Sequence, residues 1–370
     1  MQIQAMVVRE KGGEFRLETL ALDEPRADEV VVRIVATGMC HSDLIVRDRG
    51  ICPLPFVLGH EGAGVVEAVG AEVTHVTRGD HVVLTFQSCG DCRNCADGHE
   101  AYCAAFAALN LAGRRRDGST TLSQGGEAIH GSFFGQSSFA NYALANARNV
   151  VPVRRDVPLE MLGPLGCGIQ TGAGAVMNVL KPWPGSNLAV FGAGAVGLSA
   201  IMAAKIQRCA KIFAVDPVRS RLDLALEVGA TDVIQIKAGE DAAASIAAAG
   251  AADFSVDTSG VPASIEQAVT CLTRGGACAL VSSGKPGATV SFPVSQLTGG
   301  RKILSVMEGD SQPQTFIPYL LGLYVDGRLP FDRLMRFYDF EDINQAAVDS
   351  ISGVAIKPVI RIGAGPNQPI

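Results

Sequence analysis

The run from Leu188 to Ala204 constrains this chain more than any other stretch. Strand-like Leu188-Ala189-Val190-Phe191 leads into Gly192-Ala193-Gly194-Ala195-Val196-Gly197. A helical run to about Gln207 follows, then Lys211-Ile212-Phe213-Ala214-Val215 ending on Asp216. A Gly-x-Gly-x-x-Gly string alone says little. With a strand before it, a helix after it and an acid about twenty residues on, it specifies a dinucleotide-binding turn. The glycines let backbone N–H groups approach a pyrophosphate at a helix N-terminus, where the macrodipole also favours negative charge. Asp216 would accept hydrogen bonds from an adenosine ribose and repel a 2′-phosphate, so NAD rather than NADP is the expected coenzyme. The competing reading of Asp216 is a plain helix start before Pro217. The run is also apolar enough to raise a membrane span, but Gly192, Gly194, Gly197 and Ser199 break it into strand, turn and helix.

From here strands at Val233–Ile236, Phe254–Asp257, Ala277–Val281 and Lys302–Met307 alternate with helical stretches such as Pro262–Leu272. This α/β rhythm predicts a doubly wound parallel sheet over residues 169–310. Residues 1–168 read differently. Short strands at Ala5–Val8, Phe15–Glu18, Glu29–Ile34 and between Val57 and Leu84 are divided by Gly and Pro turns, as in a small β-barrel domain. Residues 104 to about 135 have no period, and Arg114-Arg115-Arg116 reads as a solvated face. Phe133-Phe134 and Phe139–Leu144 return to a strand pattern. After the parallel sheet, Pro313–Asp326 reads as an amphipathic helix and Ile356–Ile362 as a strand. Residues 311–370 thus return to the first domain.

Within that first domain, Gly38-Met39-Cys40-His41-Ser42-Asp43 collects a thiol, an imidazole, a hydroxyl and a carboxylate that core packing has no reason to gather. Gly59-His60-Glu61-Gly62-Ala63-Gly64 offers a second ligand and Leu165-Gly166-Cys167-Gly168 a second thiol. Cys40, His60 and Cys167 make a three-ligand set for zinc with a fourth position open, as catalytic sites keep it. Cys89, Cys92, Cys95 and Cys103 put four thiols in one short loop, which reads as a closed structural zinc lobe. Four unrelated buried thiols and a nucleic-acid zinc ribbon are the alternatives. The chain holds 10 cysteines, a formal net charge of −6 and 48% hydrophobic residues. It shows no amino-terminal apolar signal, so a cytoplasmic protein without disulfides is expected. The balanced charge gives no reason to expect a nucleic-acid or membrane partner. Cys52, Cys209, Cys271 and Cys278 read as ordinary core or surface thiols.

These motifs, joined by Val46-Arg47-Asp48, the run Gly163–Gly174 and Phe340–Ala347, resemble the zinc-dependent medium-chain alcohol dehydrogenases over nearly the full length. Within them the resemblance is strongest to bacterial aryl-alcohol (benzyl alcohol) dehydrogenases. It implies a GroES-like β-barrel catalytic domain plus a Rossmann coenzyme domain, with the active site in the cleft between them. Carried over by position, Cys40, His60 and Cys167 match catalytic zinc ligands, and Cys89, Cys92, Cys95 and Cys103 structural ones. Ser42 matches the hydroxyl that takes the substrate proton. Asp43 matches the carboxylate that orients the ligand histidine, and Glu61 a carboxylate able to enter the metal shell. His41 and Lys357 fall at coenzyme phosphate positions, Thr171 beside the nicotinamide and Arg221 near the adenosine ribose. Ile51 and Phe86 are candidates for the substrate pocket. Ile45 stands where many relatives have a proton-relay histidine. The implied reaction is reversible oxidation of a benzyl-type alcohol to its aldehyde with hydride transfer to NAD, by a homodimer or homotetramer carrying two zinc ions per subunit. A terpene alcohol such as geraniol, a glutathione-dependent formaldehyde reaction and a crystallin-like nucleotide binder are the competing functions.

Overall fold

The computed structural model describes residues 1–237, 239–282 and 284–363. The chain divides into two units. One comprises Met1–Cys167, Gln312–Tyr319 and the segment from Asp332 onward; the other comprises Gly168–Ser311 and Leu320–Phe331.

Strand Glu29–Gly38 organises the first unit. It pairs along its length with Glu61–Val69, and with Tyr142–Asn146 and Lys357–Arg361 over its two halves, all antiparallel. The strand is paired on both edges, and Val30, Val31, Val32 and Ile34 are buried while Arg33 between them is half-buried. His81–Leu84 and Val150–Pro152 extend this sheet on one side and Met335–Asp339 on the other. A second sheet runs, in spatial order, Phe56–Val57, Gln2–Val8, Arg16–Leu22, Leu122–Gln124 and Glu127–Ile129. Ile3, Val7, Leu20, Ile34, Phe56, Phe133 and Phe139 belong to one core that takes residues from both sheets and are at most 2% exposed. Each such side chain contributes about 1.5–3 kcal/mol by leaving water. The register carries a consequence for function. Gly38 lies opposite both Glu61 and Val359, so the strand leading into Cys40 ends beside Glu61 and the C-terminal segment.

In the second unit, six strands among the described residues form one parallel sheet. The order is Asp232–Gln235, Lys211–Asp216, Asn187–Phe191, Ala252–Asp257, Leu272–Leu280 and Lys302–Ser305. The central strand reads as a continuous apolar run because both its faces are covered; Leu188, Ala189 and Val190 are fully buried. Helix Ala195–Ile206 follows from Gly194 and ends at Gln207. The apolar run at Leu188–Ala204 is therefore strand, turn and helix, and no helix among the described residues is long and apolar enough to cross a membrane.

Two local expectations are corrected, and a third stretch is defined. Arg115 is not on a solvated face: its side chain is 8% exposed and its guanidinium pairs with Glu29 at 2.6 Å and Asp23 at 2.7 Å. Phe133-Phe134 is a tight 3-10 turn with Phe134 in the left-handed region, and the strand begins only at Tyr142. The glycine-rich run after Cys167 is helical, Gly168–Gly174 continuing into a π-helical stretch Ala175–Leu180. Its glycines admit neighbouring backbone, since a Cβ on Gly172 or Gly174 would overlap the Val196 or Gly309 carbonyl.

Candidate active site and metal centres

Cys40 lies two residues beyond the end of strand Glu29–Gly38 and caps helix His41–Arg49. Asp43, at the third position of that helix, turns back so that its carboxylate accepts the Cys40 backbone N–H at 2.9 Å. The same carboxylate accepts the Gly59 N–H at 3.0 Å and meets His60 Nδ1 at 2.9 Å. One fully buried acid thus joins two chain segments and fixes the imidazole with Nδ1–H toward Asp43. The remaining nitrogen, His60 Nε2, is buried and has no hydrogen-bond partner.

That orphaned nitrogen faces a donor set. Ligand atoms of Cys40, His60, Glu61 and Cys167 all lie within 4.8 Å of one another. A hydrogen bond with Cys167 draws the Cys40 thiol well below its ordinary value; burial opposes this, and the charge of Lys357 supports it. Soft thiolate donors plus an imidazole lone pair are what zinc selects, and an unsatisfied buried nitrogen is what a missing cation leaves behind, so the residues fit the metal. Ser42 Oγ is half-buried, 3.7 Å from Cys40 Sγ.

Glu61 and Lys357 form a pair at the back of this set. Lys357 Nζ donates to the two Glu61 oxygens at 2.7 and 2.9 Å, and the lysine is 2% exposed. Gly38 makes room for it, because a Cβ there would overlap a Glu61 carboxylate oxygen. The resemblance places Lys357 toward a coenzyme phosphate; the structure puts its ammonium on Glu61. His41 is exposed and Ile45 half-buried on the helix. Ile51, just past the helix, is 49% exposed, whereas Phe86 is 3% exposed and packs on Phe106.

The four-cysteine lobe forms the second group among the described residues whose ligand atoms all lie within 4.8 Å. Backbone N–H groups of Cys89, Cys92 and Ala104 donate to the sulfurs of Cys103, Cys89 and Cys92 at 3.3, 3.4 and 3.5 Å. The Ala104 and Cys95 backbone donors draw the Cys92 thiol down to about 6. Four sulfurs close a tetrahedral shell against water, so this set also fits zinc, in a structural role.

In the second unit the glycine-rich turn is held from two sides. Gly192 has φ +96°, a conformation that favours glycine, and a Cβ on Gly197 would overlap the Gly192 carbonyl. Gly194 meets nothing within 4 Å, so bare backbone faces open space where a phosphate would approach. Asp216, 2% exposed, accepts the Ala193 N–H at 2.7 Å and the Val218 N–H at 2.8 Å. Arg221 lies 3.9 Å from that carboxylate, its Nε buried without a partner. Opposite, the Thr258 hydroxyl donates to the Gly192 carbonyl at 3.0 Å. Asp257 secures the loop beyond by accepting from Ser259 N, Gly260 N, Ser259 Oγ and Ser264 Oγ. Thr171 is 7% exposed on helix Gly168–Gly174, its hydroxyl 3.5 Å from Glu308. The sequence reading missed Asp257 and Thr258; an acid and hydroxyl closing the neighbouring strand were the available signal.

Comparison with known proteins agrees with this geometry. The Alcohol dehydrogenase GroES-like domain family matches residues 26–155 and the Zinc-binding dehydrogenase family residues 195–323. Geraniol dehydrogenase of Castellaniella defragrans is 45% identical over 96% of this chain and 97% of its own. The crystal structure of benzyl alcohol dehydrogenase from Acinetobacter calcoaceticus superposes with a TM-score of 0.94 at 48% identity, covering 98% of this chain and 100% of that one. An alcohol dehydrogenase zinc-binding domain protein from Burkholderia ambifaria gives 0.96 at 51% identity over the same shares. The chain belongs to the zinc-dependent medium-chain alcohol dehydrogenases, with a GroES-like domain and a Rossmann-type domain. Its activity is that of an alcohol dehydrogenase.

Proposed function

We propose that this enzyme oxidises a primary aromatic alcohol of the benzyl type to its aldehyde, reversibly, with NAD as hydride acceptor. The observation that carries the reading is the unpartnered His60 Nε2 set among the sulfurs of Cys40 and Cys167, with the Ser42 hydroxyl beside them. Cys40, His60 and Cys167 would hold one zinc ion, and Cys89, Cys92, Cys95 and Cys103 a second. Zinc at the first set supplies Lewis acidity that lowers the pKa of an alcohol hydroxyl toward neutrality. Asp43 keeps His60 in the tautomer that presents Nε2 as a donor. Ser42 takes the hydroxyl proton. Glu61 stays beside the ligands, held by Lys357. In the second unit the glycine turn seats the coenzyme pyrophosphate, and Asp216 disfavours a 2′-phosphate at the ribose.

Likeness to the benzyl alcohol dehydrogenase structure supports the aromatic substrate, and the 45% identity to a geraniol dehydrogenase supports a terpene alcohol as the second reading. Initial rates with benzyl alcohol, geraniol and ethanol, each with NAD and then NADP, decide between them. Benzyl alcohol with NAD is expected to give the highest kcat/KM, and NAD to exceed NADP by about 100-fold, the discrimination expected from about 2–3 kcal/mol of charge repulsion. A preference for geraniol moves the substrate and leaves the mechanism; a preference for NADP removes the role given to Asp216.

A further inference from the structure

The segment 132–137 is backbone that an ordinary loop would not adopt. Ser132, Phe134 and Ser137 have φ of 61°, 50° and 54°, and Gly135 has 66°. Three non-glycine residues in the left-handed region within six positions is a costly conformation, which persists only where its surroundings determine it. Those surroundings are specific. Ser137 Oγ accepts the Phe133 N–H at 2.9 Å and donates to the Val57 carbonyl at 2.6 Å. The Gln136 amide donates to the His60 carbonyl at 2.9 Å and accepts the Gly62 N–H at 3.0 Å. All of these residues are buried.

The strained turn brings two consecutive aromatic rings onto one imidazole. Consecutive side chains in regular strand would point to opposite faces. Here Phe134 stacks on the His60 ring at 4.6 Å and 28°, and Phe133 meets it edge-on at 5.3 Å and 90°. With Asp43 on Nδ1, the imidazole is fixed at one atom, one face and one edge, while Nε2 is left to a ligand.

We infer that the 132–137 turn is a positioning device for His60 that governs metal exchange, with Phe134 its principal side chain. The inference rests on zinc occupying the Cys40, His60 and Cys167 set. A metal leaves such a set one donor at a time, and a chelator captures it only if a released donor moves off before rebinding. An imidazole that cannot swing away rebinds, so a clamped ring slows loss. The four-cysteine lobe is held differently, its sulfurs accepting backbone N–H groups.

The test is zinc release from the purified full-length protein to a colorimetric chelator, with Cys40→Ala assigning the phase that belongs to the lobe. Phe134→Leu keeps an apolar side chain but removes the stacked face. It is expected to speed release from the Cys40 site about tenfold and leave the lobe phase unchanged, in line with what outer partners of metal ligands contribute. Phe56→Leu is the packing control: Phe56 shares this core and touches Phe133 at 5.8 Å. It is expected to keep wild-type release at both sites. Unchanged release in Phe134→Leu, or equal acceleration in Phe56→Leu, overturns the inference alone. Wild-type protein whose zinc content equals that of Cys40→Ala overturns it together with the metal assignment.

Discussion

Cys40→Ala is expected to reduce turnover by about 10³–10⁴-fold, to lower the zinc content by one equivalent, and to leave NADH binding unchanged. The magnitude follows from the charge stabilisation a Lewis acid supplies, several kcal/mol, at about 1.4 kcal/mol per tenfold. Three donors would remain, but Glu61 is tied through both oxygens to the Lys357 ammonium, which leaves His60 and Cys167 to hold zinc against water, one ligand short of a catalytic set. Asp43 keeps its bonds to the Cys40 N–H, the Gly59 N–H and His60, because none of them uses the Cys40 side chain. The local backbone should therefore survive. The coenzyme turn belongs to the second unit and has its own anchors in Asp216 and Thr258. Zinc by atomic absorption, NADH by fluorescence titration and steady-state rates together decide it. Retained turnover would remove Cys40 from the metal site; loss of NADH binding as well would mean that the substitution had damaged more than that site.

The residues legible in the sequence were those whose chemistry requires a particular type. Cys40, His60, Cys167, the four lobe cysteines and the glycines of the turn could be named because no packing role explains such clusters, and the structure gathers each set. Asp216 was legible as the acid closing the second strand, yet its bond to the Ala193 N–H, which ties it to the glycine turn itself, was not. Pairings between distant positions stayed hidden. Arg115 looked solvated within a basic run because its partner Glu29 is 86 residues away, and nothing local marks the match. Phe133-Phe134 looked like strand because two apolar aromatics have strand propensity; the hydrogen bonds of Ser137 and Gln136 override it. The two barrel sheets were legible as short strands, but their order was not, since a strand such as Lys357–Arg361 finds Glu29–Gly38 only through the tertiary fold.

Lys357→Met is expected to destabilise the first unit by about 3–5 kcal/mol, the cost of leaving one member of a buried ion pair without the other. Glu61 is fully buried, and 296 residues separate it from the lysine whose ammonium it binds through both oxygens. Burial pushes the Glu61 carboxyl up, opposed by the Lys357 charge, and burial likewise opposes the lysine's charge while Glu61 raises its pKa. Each member is thus charged because of the other. With Lys357 gone, Glu61 must either take up a proton or keep an uncompensated charge in the interior. Both cost stability. The unfolding midpoint should fall by about 5–15 °C. The double variant Lys357→Met/Glu61→Gln should recover more than half of the loss, because replacing both charges is far less costly than removing one. The resemblance gives the opposite expectation for this residue: a lysine serving a coenzyme phosphate would, on substitution, weaken NADH binding and leave the midpoint where it was. That result would show Lys357 released from Glu61 in solution. A lowered midpoint restored by the second substitution, with NADH affinity intact, would place its work at the carboxylate behind the metal ligands.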